Sequence, residues 1–115
     1  MDDAEWYGVR CVFRFRNAYE ERFTVWRATS MQQAMALAET EAGEYARDSD
    51  AGQITFLGML QGYRMEEPPR HGSEVFSLIR SSPLDTEEYL DRFFDTGEEH
   101  QGHLAADDRV PGRTA

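Results

Sequence analysis

The side chains best suited to chemistry are scattered along this sequence in settings that do little for it. Its single cysteine, Cys11, alternates with Val9 and Phe13 along the apolar side of a strand-like run, with Arg27 as its expected cross-strand neighbour. A nucleophilic thiol needs a lowered pKa and access to substrate, so this placement predicts a small buried hydrophobe instead. One cysteine also forms no intramolecular disulfide. His100 and His103, three apart with Glu98, Glu99, Asp107 and Asp108 nearby, are of the right types to ligate a transition metal. They lie in a glycine-containing tail that offers nothing to hold ligands in geometry, so neither a metal nor a cofactor is expected. His71 sits in a proline-rich loop without a local partner. No Ser–His–Asp set, glycine-rich phosphate loop or CxxC pair occurs. The carboxylates fall on helix faces and at caps, where general acid–base work finds no pair with separated pKa values. The sequence therefore leans away from an enzyme, although a site assembled from distant residues leaves no local trace.

The stronger signal is basic. In "WYGVRCVFRFR", residues 6–16, Tyr7, Val9, Cys11, Phe13 and Phe15 alternate with Arg10, Arg14 and Arg16. These arginines stand in a chain of 115 residues whose formal net charge is -10. An acidic surface of that kind disfavours nucleic acid and anionic membranes. There is no apolar run long enough to span a bilayer, and the opening "MDDAEW" has no signal-peptide pattern. A soluble, cytoplasmic protein is the expectation.

Around the stripe the pattern predicts an α+β domain. "NAYEE" reads as a loop of about five residues and "RFTVWRA" as a second strand. Placing Arg16 opposite Arg22 keeps Phe15 beside Phe23 and Phe13 beside Val25, the register that burial favours. Ser30 and Gln33 match a capping box, and Met31, Ala34, Met35, Ala38, Ala42 and Tyr45 form one apolar helical stripe. "QITFLGMLQGYRM" is apolar on both faces and suits a central strand, with Gly58 and Gly62 permitting a close approach. "EEPPRHGS" is a loop, "EVFSLIR" a fourth strand, and Asp85 with Glu88 caps a second helix carrying Tyr89, Leu90, Phe93 and Phe94, with Gly97 placed to end it. The expected order is ββαββα: a mainly antiparallel four-stranded sheet, with the first helix on the face of Phe13, Phe15, Phe23 and Val25. Residues 1–97 make the domain and 98–115 an acidic, disordered tail, of which the part after about Gln101 is expected to be dispensable for folding.

In this register Arg10, Arg14, Arg16, Arg22 and Trp26 share the outer sheet face, which grades from basic at the hairpin to apolar near the third strand. Two readings stay open: a solvated face paired with the chain's own acids, or a surface where a protein partner or another copy docks, since Arg and Trp are enriched at hot spots. "WYGVRCVFRFR", "YEERFTVWRATSMQQAMALAETEAGEYA", "FLGMLQGYRM" and "EVFSLIRSSPLDTEEYLDRFFDTGEE" together resemble the bacterial domain of unknown function 4288 family over about residues 5–100. The resemblance implies a small single-domain cytoplasmic protein of bacteria, and no activity, cofactor or catalytic residue. The leading function is a non-enzymatic protein-binding or accessory module, immunity-like in one version, its acidic surface masking a basic partner. The alternative is a small enzyme or ligand-binding protein with a pocket between the sheet and the C-terminal helix.

Overall fold

Strand β1 (Glu5–Phe15) lies at the centre of the sheet, and its alternation is the reason. Val9, Cys11, Phe13 and Phe15 point to one side and are buried, as is Tyr7. The computed structural model describes residues 3–48 and 53–99. Strand β2 (Ala18–Ala28) and strand β3 (Ile54–Arg64) flank β1, both antiparallel to it, in the order β2-β1-β3. Helix α1 (Met31–Asp48) covers the buried face with Ala34, Ala38, Ala42 and Ala46, whose small side chains let it lie close. Its start is capped by Ser30, whose Oγ accepts from Gln33 N at 3.0 Å. The Gln33 amide oxygen accepts in turn from Thr29 N at 2.7 Å, one residue before the position a capping box uses.

The sheet therefore has three strands, and the expected four-stranded ββαββα arrangement does not form. The hairpin turn is the first departure. Only Arg16 and Asn17 separate β1 from β2, and Arg16 alone of the two has a positive φ, 58°, the pattern of a type II′ turn. "NAYEE" thus contributes most of its residues to β2. Phe15 faces Ala18, Cys11 faces Arg22 rather than Arg27, and Gly8 faces Val25. Lengthening the strands outweighs gathering every apolar residue on one side, because the polar side chains this turns inward find partners on α1. Tyr45 Oη donates to Glu20 Oε1 at 2.7 Å, and Arg22 bridges Glu41 at 2.9 Å. Phe23 and Val25 consequently lie on the face opposite α1.

Strand β3 is an edge, where its two apolar faces suggested a centre. Between the pairs Cys11↔Leu60 and Phe13↔Phe56 it carries extra residues, and Gly58, at φ 80°, makes the bulge. Leu57 and Met59 are thereby exposed. At Gly62 the expected close approach is present: a Cβ there would collide with the Met31 sulfur.

Residues 74–80 pair with no strand among the described residues. Those up to Ser77 form a strap on the sheet face opposite α1. Gly8 leaves a notch that the Val75 carbonyl fills, and Phe76 meets Phe23 and Tyr63 with ring centroids 5.2 and 6.4 Å apart. Seating Phe76 among these rings replaces the strand pairing its alternation suggested.

The chain divides into two compact units, Met1–Ser77 and Leu78–Ala115. In the second, Asp85 begins α2 (Thr86–Tyr89) with the expected capping box. Its Oδ1 accepts from Glu88 N at 2.9 Å, and Glu88 Oε1 accepts from Asp85 N at 3.5 Å. A π-helical turn, Leu90–Phe94, continues it and closes with Asp95 N donating to Leu90 O at 2.8 Å. Gly97, at φ 90°, follows where a terminator was expected. The tail from residue 100, with His100 and His103, lies outside the described residues.

Candidate interaction surface

Strand alternation in the observed register sorts the five candidate docking residues into separate groups. Arg10 and Arg14 lie on the face away from α1, and Arg16 occupies the turn. Arg22 and Trp26, opposite Cys11 and Tyr7, lie on the α1 side. The structure thus does not bring the five together.

All 12 basic residues are arginines, whose flat guanidinium both stacks on rings and pairs with carboxylates, and each candidate uses this locally. Arg10 donates to Glu21 Oε1 from Nη2 at 2.9 Å and to Gln61 Oε1 from Nη1 at 2.8 Å. Its guanidinium lies 5.9 Å from the Phe23 ring centroid and 5.8 Å from that of Phe76. With 19% of its side chain exposed, Arg10 ties the strap to the sheet. Arg14 donates to Arg16 O at 2.8 Å and to Tyr19 Oη at 2.7 Å, and pairs with no carboxylate among the described residues. Arg16 donates to Gln53 Oε1 at 3.2 Å. Arg22 sits 3.8 Å from the Tyr45 ring centroid. Trp26 donates from Nε1 to Thr24 Oγ1 at 2.7 Å and packs against the core formed by Tyr7, Ala28 and Ala34.

The face away from α1 carries Phe23, which the expected register put inside, and Tyr19, which was expected in the hairpin loop. Tyr19 and Phe23 are exposed, Phe23 by 50%. The sequence carries no clear signal for this: Glu20, Glu21 and Arg22 are three polar residues in a row, so "AYEERFTVWRA" does not alternate cleanly back to Ala18. Along β3 the outer positions opposite Arg14, Arg10 and Gly8 are Thr55, Gln61 and Tyr63. The face therefore grades to polar and aromatic groups, with Leu57 and Met59 displaced into the bulge.

Cys11 is buried, and burial, followed by the negative charge of Glu41, raises its thiol pKa. That suits a packing role. A cavity of 340 Å³ lies where the loop after β3 turns back, lined by Tyr63, Glu66, Glu67, Arg70, His71 and Glu74 among others. Arg70 is tied to Glu67 by an ion pair, and a hydrogen bond with Glu74 holds the Tyr63 hydroxyl pKa above its usual value. Among the described residues no group of three or more His, Cys, Asp or Glu side chains could hold a metal ion, and no helix is long and apolar enough to cross a membrane.

The second unit offers a different kind of surface. None of residues 78–99 is buried, although Leu78, Ile79, Leu84, Tyr89, Leu90, Phe93 and Phe94 lie among them. Ile79 is 98% exposed and Phe94 75%. Arg80 stacks 4.3 Å from the Phe93 centroid and donates to Tyr89 Oη at 2.9 Å. Asp85, Glu87, Glu88, Asp91, Asp95, Glu98 and Glu99 are interspersed with these groups along the sequence. Phe93 and Phe94 had been expected on the apolar side of a core helix; both are exposed. No family model, curated protein or solved structure matches the chain.

Proposed function

We propose that this chain is a non-catalytic protein-binding module, and that its second unit is the binding element. One observation carries the reading: seven large apolar side chains in a stretch of 22 residues, 78–99, none of them buried. Exposing apolar groups to water costs about 25 cal/mol per Å², and clustered exposed apolar groups mark interaction sites. A short capped helix presenting Leu90, Phe93 and Phe94 resembles the anchors of helix-in-groove recognition. Its carboxylates select a groove whose rim is basic. This is the immunity-like version in concrete form, an acidic element masking a basic partner. The resemblance to the domain of unknown function 4288 family, with a place in the bacterial cytoplasm, belongs to the same proposal.

The double variant Ile79→Ser, Phe94→Ser tests it. Exposed positions change stability by within about 0.5 kcal/mol, so the melting temperature should hold while the protein captured by the wild type is lost. A fall of several degrees with capture unchanged would make these residues structural and overturn the proposal.

A further inference from the structure

Among the described residues the outer strands β2 and β3 pair with no further strand, and the two edges are of unequal character. β3 is interrupted by the bulge at Gly58, a device that blunts an edge against further pairing. β2 runs 11 residues without a bulge, a proline or a glycine. The two-residue turn closes on the pair Phe15↔Ala18, so Ala18 and every second residue after it bond to β1. Consistently, Trp6, on the other set of β1 positions, uses its carbonyl toward β3, accepting from Met65 N at 2.8 Å. Tyr19, Glu21, Phe23, Val25 and Arg27 therefore turn their N–H and C=O groups toward the open edge.

We infer that this edge pairs with β2 of a second copy of the chain, antiparallel about a two-fold axis through Thr24. The two three-stranded sheets then become one continuous sheet. The occupant follows from charge complementarity along β2. With Thr24 opposite Thr24 of the second copy, Glu21 faces Arg27 and Phe23 faces Val25, each pair occurring twice by symmetry. Opposite charges, and an aromatic with a β-branched residue, are favourable cross-strand pairs. The neighbouring two-fold registers lose this match. Centring on Phe23 sets Glu21 against Val25 and Glu20 against Trp26, and centring on Val25 sets Arg27 against Phe23. In the Thr24 register the residues facing each other across the hydrogen-bonded positions are those whose backbone groups point outward. Arg10 holds Glu21 through Oε1, which leaves the carboxylate a second oxygen to share. The half-exposed Phe23 and exposed Val25 gain cover from the same pairing. The interaction uses none of residues 78–99, so it goes beyond the binding role proposed for them.

Sedimentation equilibrium of the full chain tests it, with circular dichroism confirming the fold of each variant. Wild type should dimerise. Arg27→Glu and Glu21→Arg should each weaken the dimer by about tenfold or more, because each sets like charges opposite one another twice. The double exchange should restore it, and Phe94→Ser should leave it unchanged. Should a charge variant fail to fold, Thr24→Cys provides a second reading. Thr24 and its symmetry mate form a non-hydrogen-bonded pair with Cα atoms about 4.5 Å apart, within disulfide range. Mild oxidation should therefore link Thr24→Cys into a covalent dimer, and Gln32→Cys, on α1, should not link. A chain monomeric up to about 1 mM, well above the affinity of a standard-sized interface, would overturn the inference. So would a dimer indifferent to both charge reversals or dissociated by Phe94→Ser.

Discussion

Arg22 lies between the rings of Phe13 and Tyr45 and the carboxylate of Glu41, and that position settles what kind of residue it is. Its largely buried side chain joins β2 to α1 and is committed within the fold. Trp26 is committed likewise by Tyr7, Ala28 and Ala34, so replacing it with Ser should destabilise the domain. Tyr45 beside Arg22 makes a sharper test. Burial first, and then its hydrogen bond to Glu20, push the Tyr45 hydroxyl pKa up from 10.0 to about 12. Between those values the unfolded chain has lost a proton that the folded chain keeps. The stability this contributes is complete below pH 10 and falls away as pH rises toward 12. Tyr45→Phe should show a shallower loss of stability over that window than the wild type, measured by denaturant unfolding at a series of pH values. Parallel curves would show that the hydroxyl titrates alike in both states.

At the scale of elements, α1 was legible because helix start and apolar spacing are local: Ser30 caps it and the alanines recur on its buried side. β1 was legible because one face is buried from Tyr7 to Phe15. The hairpin register was not. Burial alone placed Phe23 with Phe15, but the two-residue turn at Arg16 and Asn17 recruits Ala18 to Glu21 into β2 and turns Phe23 outward. Deciding this needed knowledge of Glu41 and Tyr45, distant residues that accommodate the inward polar groups. The same shift divided the arginine stripe, and with it the candidate docking surface. β3 misled because a bulge breaks its alternation, and 74–80 because strand-like sequence can also lie as a strap. Gly8→Ala tests the strap. The new methyl would fall inside the Val75 carbonyl, so the strap must lift, and overpacking of this kind costs about 1–3 kcal/mol. Hydrogen exchange should show the amides of residues 73–77 losing whatever protection they have in the wild type, with β1 and α1 still protected. An unchanged exchange pattern and melting temperature would mean that the strap does not seat on Gly8.

For the whole molecule, the net charge of -10 and the exposed apolar groups of the second unit bear on one question, where a partner binds. Within Met1–Ser77 the arginines facing away from α1 are largely spoken for by Glu21, Gln61, Tyr19 and the turn. Within Leu78–Ala115 the described apolar side chains have no core of their own. Binding through the second unit follows from that contrast. Site-specific photo-crosslinking in the cells that make the protein tests it most directly, with the reactive side chain at position 94 and, as a control, at exposed Gln32 on α1. The account predicts a discrete heavier adduct from position 94, lost when Ile79→Ser is introduced in the same chain, and none from position 32. No adduct from position 94, or an equal one from position 32, would contradict it.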